Sequence, residues 1–253
     1  MLTSERLADI ERRLTVHGRV VAADLARLYE TSEDTVRRDL RALAAQGRCR
    51  RVHGGALPPM PARGPVSVRA GIASAAKAAL GEAMARLVEP GSTVFVDAGS
   101  TTLACAERMR VAATVITHAP AIAAALVENP AVRLVTLGGQ VDREVGAATG
   151  AGVLAAIETI RPDLLLLGAC GVDAEAGITA QSVEDAAVKR ALAARAGRVV
   201  VAADAGKLGT SAPFAVVDLA AIDVLLIEAG TPAERKARLA ATGVALVEVE
   251  TGR

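Results

Sequence analysis

The chain has 253 residues, with 29 basic and 28 acidic side chains, 52% hydrophobic residues and 1% aromatic ones. That aliphatic content supplies ample material for one large or two modest cores and excludes wholesale disorder. With no Trp, one Tyr (Tyr29) and two Phe (Phe95 and Phe214), the chain cannot lay out the row of aromatic platforms on which single-stranded nucleic acid or sugar rings stack. Cys49, Cys105 and Cys170 stand far apart without a CxxC pair, so neither a disulfide framework nor a metal site is expected, and reduced thiols in a cytoplasm fit. No segment reaches the roughly 18 uninterrupted apolar residues of a membrane-spanning helix, and the charged start MLTSERLADIERRL does not resemble an export signal. The expectation is a cytoplasmic protein that needs no membrane and no cofactor.

The net charge of +1 divides unevenly: residues 1–60 hold 11 Arg against 8 acids, and residues 61–253 hold 18 basic against 20 acidic side chains. Between residues 37 and 53, Arg37, Arg38, Arg41, Arg48, Arg50 and Arg51 face a single acid, Asp39. Such a cluster suits either a polyanion partner or a solvated helix face.

Three short helical patterns open the chain, the first placing Leu7, Ile10 and Leu14 on one face, the second Leu25 and Leu28, the third Val36, Leu40 and Leu43. Ser32 is the N-cap of the third, Glu33 and Asp34 favour its first turn, and Gly47 ends it. Thr35, Arg37, Arg38 and Arg41 then lie off the apolar stripe. Two helices joined by the turn Tyr29–Ser32, the second exposing arginines, predict a helix-turn-helix. RCRRVHGGAL after it predicts a basic wing with a tight Gly54-Gly55 turn. Pro58, Pro59, Pro61 and Pro65 deny helix and sheet their backbone donors, so residues 1–57 form one domain, 58–66 a linker and 67–253 a second domain.

The second domain starts with an amphipathic helix over 67–88 and continues as apolar strands alternating with alanine-rich helices. The strands are expected at 93–96, 113–117, 132–137, 164–167, 198–203, 223–227 and 244–249. Continuous runs such as LLLL suit strands covered on both faces, which predicts an α/β fold with a mostly parallel sheet and a ligand site beyond the strand C-termini. DAGSTT at 97–102 joins a strand to a helix with one glycine and three hydroxyls, either a phosphate cradle or a capped turn. Gly138-Gly139 and the GACG loop at 168–171 are close-approach loops or simple turns. Arg makes up 25 of the 29 basic residues, so Lys189 and Lys207 are compositional exceptions. Lys189 reads as a surface ion pair with Asp185 four residues earlier; Lys207, in a glycine-flanked loop beside Asp204, reads as a ligand group.

TSEDTVRRDL at 31–40, Gly47 and RVHGGA at 51–56 resemble the DNA-binding signature of the DeoR family of bacterial transcription regulators. The resemblance continues through DAGSTT, LGG at 137–139, LGACGVD at 167–173, GIT at 177–179, the Glu184–Arg190 helix start and Asp204–Lys207. It implies a winged helix-turn-helix followed by an effector domain related to the ribose-5-phosphate isomerase fold. It implies DNA contacts at Ser32, Thr35, Arg37, Arg38, Arg51 and His53, with Arg41 on the same face. It further implies a sugar-phosphate site in which Gly99, Ser100, Thr101 and Thr102 cradle the phosphate and Asp97, Asp173, Glu184 and Lys207 line the sugar end. Gly138, Gly139 and Asp204 join that site, and Arg69 and Lys77 hold family positions in the entry helix. His118 stands where family members commonly carry Asn, and Arg48-Cys49 where the wing usually carries leucines.

Two readings follow. One is a repressor of a carbohydrate-utilisation operon that binds double-stranded operator DNA, as a homodimer or homotetramer, and responds to a phosphorylated sugar or polyol. The other is an isomerase-like enzyme with an accessory helical domain, in which Asp173, Glu184 and Lys207 move a proton between adjacent carbons. The first 60 residues favour the regulator, a protein with no catalytic residues, since an isomerase needs no recognition helix.

Overall fold

The computed structural model describes residues 2–59 and 64–251, so the middle of the predicted linker, 60–63, lies outside the described residues. The N-terminal part runs α1 (Thr3–His17), β1 (Val20–Val21), α2 (Ala22–Leu28), α3 (Glu33–Ala45), β2 (Arg50–Val52) and β3 (Gly55–Leu57). Its core is aliphatic, with Ile10 and Leu14 of α1, Leu25 of α2, and Val36, Leu40 and Leu43 of α3 all buried with Cys49 and Ala56. Leu28, expected beside Leu25, is instead 49% exposed, and Tyr29 packs on the core in its place, donating its hydroxyl to Asp9 at 2.7 Å.

The wing is a three-stranded antiparallel sheet in the order β1-β3-β2. A Cβ on Gly55 would stand 2.0 Å from the Val20 carbonyl oxygen, so only glycine lets β3 come this close to β1. Asp39, the one acid of the basic cluster, is buried: Arg6 of α1 donates Nε to its Oδ2 at 2.5 Å and Nη2 to its Oδ1 at 3.2 Å. This fork joins α1 to α3 and removes the acid from the face that carries the arginines.

Beyond the linker come α4 (Val66–Gly71), α5 (Ser74–Ala85), β4 (Thr93–Val96), α6 (Ser100–Ala106), β5 (Ala113–Thr117), α7 (Pro120–Leu126) and β6 (Val132–Thr136). They are followed by β7 (Gln140–Asp142), β8 (Ala147–Thr149), α8 (Ala151–Glu158), β9 (Leu164–Leu167), β10 (Gly171–Asp173), β11 (Gly177–Ala180) and α9 (Val183–Ala193). The chain ends with β12 (Arg198–Ala203), β13 (Phe214–Val217), β14 (Val224–Glu228), α10 (Ala233–Ala240) and β15 (Ala245–Val249). The seven predicted strands all form, shifted by a residue at some ends, and make one parallel sheet in the order β15-β14-β12-β9-β4-β5-β6. Strand β9 shows why LLLL suits its place: Leu165 and Leu167 enter the core under α8 and α9, while Leu164 and Leu166 enter the one under α5, α6 and α7.

The expected single helix over 67–88 is two, because Ala73 adopts φ 51, in the left-handed region. Unforeseen as well are the hairpin β7-β8 and the small antiparallel sheet β10-β11-β13, whose three- and four-residue strands are too short for an alternation to register. From β4 the strand order runs outward one way through β5 and β6, and from β9 the other way through β12, β14 and β15. The reversal falls between β4 and β9, so a crevice opens beyond their C-terminal ends.

The Arg6–Asp39 fork predicts a specific stability pattern. Asp39→Ala, which strands a largely buried guanidinium, should lower the unfolding free energy by about 3 kcal/mol in urea titrations. Arg6→Met combined with Asp39→Leu should recover most of that loss.

Candidate functional site

Two places gather the residues singled out by sequence. On the N-terminal part, Ser32 caps α3 by accepting from the Thr35 backbone N–H at 3.2 Å, and its Oγ lies 3.0 Å from Thr35 Oγ1. The cap fixes the start of the helix and hence the direction of its outer face. Ser32, Arg37, Arg38, Arg41, Arg51 and His53 are exposed and Thr35 is half-buried. Arg37 is held by Glu33 at 2.8 Å and Arg48 by Glu11, whereas Arg38, Arg41 and Arg51 have no ion-pair partner among the described residues. Three free guanidiniums beside a capped helix end can bind the phosphates and base edges of a duplex.

The second place is a cavity of about 140 Å³ at the switch between β4 and β9. Behind its wall Asp97, with no exposed surface, accepts from the Gly168 backbone N–H at 2.8 Å and from Lys189 on Oδ2, while Oδ1 lies 3.0 Å from His118 Nε2. His118 Nδ1 is 2.7 Å from the Ala148 carbonyl, so each ring nitrogen faces an oxygen. Gly168 is required here, since a Cβ would sit 2.2 Å from the Ala98 carbonyl oxygen. Burial pushes the Asp97 carboxyl upward, but the Lys189 charge and the His118 contact outweigh it and hold the pKa at about 2. Lys189 is buried too, yet Asp185 at 3.2 Å and Asp97 raise its pKa. Burial raises the pKa of the Asp185 carboxyl despite that lysine.

The cavity lining carries the cations Arg69, Lys77, Lys189 and Lys207 together with the acids Asp142, Glu144, Asp185 and Asp204. Arg69 is fixed by the carbonyls of Gly64 at 2.9 Å and Val145 at 3.2 Å, and Lys77 by the carbonyl of Arg69 at 2.6 Å. Burial lowers the pKa of both Lys77 and Lys207. The half-buried Lys207 ammonium has no ion-pair partner among the described residues. A cavity so lined suits a small ligand with an anionic group and several hydroxyls.

Of the residues expected here, Gly99, Ser100, Asp204 and Lys207 line the cavity, as do Arg69 and Lys77. Asp97 and His118 stand behind the wall. Thr102 turns its hydroxyl to the Gly99 carbonyl at 3.0 Å and Thr101 keeps a buried hydroxyl without a partner among the described residues; neither lines the cavity. Gly138 and Gly139 are also outside it, Gly139 facing Val153 and Ala148.

Two further placements correct the sequence reading. Asp173 closes the turn after β10 by accepting from the backbone of Glu175 and Ala176, and it borders a different crevice, against the N-terminal part. Glu184 is exposed in the first turn of α9, because the helical rotation brings Asp185 inward instead. Lys189 pairs with Asp185 as expected, but inside the protein and with Asp97 as well. Its spacing from Asp185 and Leu192, both buried on α9, was the available signal. Gln181 and Cys170 also line the cavity, and nothing in the sequence marked them.

The second crevice, about 170 Å³, lies where the two parts meet. His17 is 3.1 Å from Glu234, Arg19 is 3.8 Å from Glu175, and Arg238 is 3.6 Å from Glu175 while donating to the Val16 carbonyl at 3.4 Å.

The depressed Asp97 pKa sets a direction for acid sensitivity. Its folded value, about 2, lies below the ordinary 3.8, so its contribution is fully present above about pH 4 and is lost as the pH falls toward 2. Asp97→Asn should flatten the stability profile between about pH 4 and pH 2 and lower stability at neutral pH, both measured by denaturant unfolding at fixed ionic strength.

Comparison with known proteins matches residues 6–60 to the DeoR-like helix-turn-helix domain and residues 72–229 to the DeoR C terminal sensor domain. The transcriptional repressor GlcR of Bacillus subtilis is 32% identical over 90% of this chain and 89% of its own. A protein of Escherichia coli O157:H7, provisionally named an aga operon transcriptional repressor, is 32% identical over 98% of this chain and 94% of its own. The glycerol-3-phosphate regulon repressor of Escherichia coli is 26% identical over 92% and 93%. Among solved structures, ribose 5-phosphate isomerase A of Methanocaldococcus jannaschii overlays 53% of this chain and 54% of its own with a TM-score of 0.40 at 15% identity, too loose a likeness to carry an argument. The two matched domains, in this order along one chain, make the protein a member of the DeoR family of transcription regulators.

Proposed function

We propose that the chain is a repressor of a sugar- or polyol-utilisation operon, bound to double-stranded operator DNA through α3 and the wing and controlled by a phosphorylated sugar or polyol in the switch-point cavity. The observation that carries this reading is the division of charge around α3. Its one inward acid, Asp39, is spent on Arg6, and Arg38, Arg41 and Arg51 on the outside have no ion-pair partner among the described residues. Ser32, Thr35, Arg37, Arg38, Arg41, Arg51 and His53 form the DNA face. Gly99, Ser100, Asp204 and Lys207, with Arg69 and Lys77, form the effector site, and Asp97 and His118 hold its floor. Residues 1–57 act as the DNA-binding domain, 58–66 as linker and 67–253 as effector domain. One winged domain touches too little duplex for operator-level specificity, so a homodimer or homotetramer in the cytoplasm presents the recognition helices in pairs.

The protein acts without catalysis in this reading. The isomerase-like alternative drew its proton-transferring groups from Asp173, Glu184 and Lys207, and only Lys207 lines the cavity. A steady turnover of pentose or hexose phosphates by the purified protein would revive that alternative. Effector and operator affinities are coupled reciprocally, each lowering the other by the same factor.

Arg38→Ala should weaken binding to DNA from upstream of the gene by about 10-fold or more, within the usual range for a base-edge arginine. The thermal midpoint should stay unchanged; fluorescence anisotropy on labelled duplex reads the affinity. Arg41→Ala should instead reduce the slope of log affinity against log salt by about 1. For Lys207→Ala, the expectation is wild-type operator affinity that no longer responds to sugar or polyol phosphates, scored by gel shift across a panel of such compounds.

A further inference from the structure

Gln181 builds part of the cavity wall, between the end of β11 and the Ser182 cap of α9. Both polar atoms of its side chain, Oε1 and Nε2, are withdrawn from solvent and have no hydrogen-bond partner among the described residues. A buried amide ordinarily finds partners for its donors and acceptor, and an unmatched one is costly. Among the described residues, several polar groups around it have partners of their own, although Asp185 Oδ1 has only its ion pair with Lys189 and accepts no hydrogen bond. Ser182 Oγ accepts from the Asp185 backbone N–H at 3.1 Å, Asp185 pairs with Lys189 at 3.2 Å, Lys189 with Asp97, and Lys77 donates to the Arg69 carbonyl at 2.6 Å. Gln181 lines the cavity, and a rotation about its side-chain bonds presents its one acceptor and two donors to a ligand there. Of the cations of the same cavity, Lys189 is on α9 and is paired with Asp97 and Asp185, whereas Arg69 comes from α4, Lys77 from α5 and Lys207 from the loop after β12.

We propose that Gln181 is a specificity-determining residue of the effector site and reads a pair of vicinal oxygens. Its amide oxygen and nitrogen are joined through one carbon and stand side by side, as do two hydroxyls on neighbouring carbons. One hydroxyl donates to Oε1, and its neighbour accepts from Nε2. The cavity then selects phosphate esters carrying a vicinal diol over esters that lack one, because a ligand without hydroxyls leaves the buried amide unmatched in the complex. This inference rests on the effector reading and adds to it the part of the ligand that is recognised besides phosphate.

The test is calorimetric titration of the full chain with inorganic phosphate, propyl phosphate, 2,3-dihydroxypropyl phosphate and a hexitol 6-phosphate, for the wild type, Gln181→Leu and Gln181→Met. The wild type should bind the better of the two hydroxylated esters at least about 10-fold more tightly than propyl phosphate, the scale of one or two net hydrogen bonds. In both variants that ratio should collapse to within about threefold while affinity for propyl phosphate is kept. The thermal midpoint without ligand should be equal to or above that of the wild type, since an unmatched buried amide has been removed. A ratio that survives in both variants, a parallel loss for plain and hydroxylated esters, or a wild type that prefers no diol overturns the assignment. Failure of the wild type to bind any phosphate compound is a different result, which removes the effector reading itself and the assignment with it.

Discussion

A carboxylate with no access to water, Asp97, holds the centre of the larger domain together. It follows β4, accepts a hydrogen bond from a backbone N–H of the loop after β9, faces the histidine that follows β5 and is neutralised by a lysine from α9. Four segments distant in sequence thus meet on two oxygens. An isolated charge at that depth would be prohibitively costly, so the fold is bound to bring Lys189 and Gly168 to it. The crevice at the reversal of strand order owes its shape to this meeting. The loops that wall it are positioned by partners behind the wall, and among the cavity's cations Lys207 is left without an ion-pair partner among the described residues.

The small domain uses the same logic with the opposite consequence. Asp39 sits among arginines in the sequence and would offset one of them if it faced outward. Its burial against Arg6 takes it off the surface of α3, where Glu33 and Asp34 lie in the first turn and Arg37, Arg38 and Arg41 follow. The near-neutral total of the chain hides this, because the acid is counted where it cannot act. In both domains a buried acid is matched by a cation from another element, and the cations left over define the functional surface.

Much of this was legible in the sequence, where local chemistry and periodicity agree. The Ser32 cap, the apolar stripe of α3, the wing glycines and the seven parallel strands are each encoded within a dozen residues. The misplacements concern long-range contacts. Asp173 and Glu184 were assigned to the cavity because they stand in the right blocks, yet a single helical step gives the inward place to Asp185, and a tight turn directs Asp173 toward the other domain. Lys189 read as a surface residue because its i,i+4 acid is an ordinary surface pattern, and only the packing of α9 against β9 shows that the pair is inside. The break at Ala73 is announced only by Gly71, the last residue of α4, although it separates the helices that bring Arg69 and Lys77 to the cavity.

The loop after β12 belongs to both regions at once. Asp204 and Lys207 line the cavity, and two residues later Gly209 borders the crevice against the N-terminal part. The segment is tied to β10 by backbone bonds on either side of Leu208: the Val172 N–H donates to the Lys207 carbonyl at 3.0 Å, and the Gly209 N–H to the Val172 carbonyl at 2.8 Å. Next in β10 is Asp173, whose carboxylate lies where a Cβ on Gly18, the cap of α1, would meet it at 3.2 Å. The loop that carries Lys207 and the surface on which α1 rests are thus joined by one short run of backbone bonds. The ion pairs that dock the two parts, His17–Glu234, Arg19–Glu175 and Arg238–Glu175, are largely solvent-exposed, and such pairs contribute little each. A junction of weak contacts beside a stiff loop is suited to control by a small ligand, whose binding energy need exceed only the few kcal/mol by which one docking geometry is preferred over another.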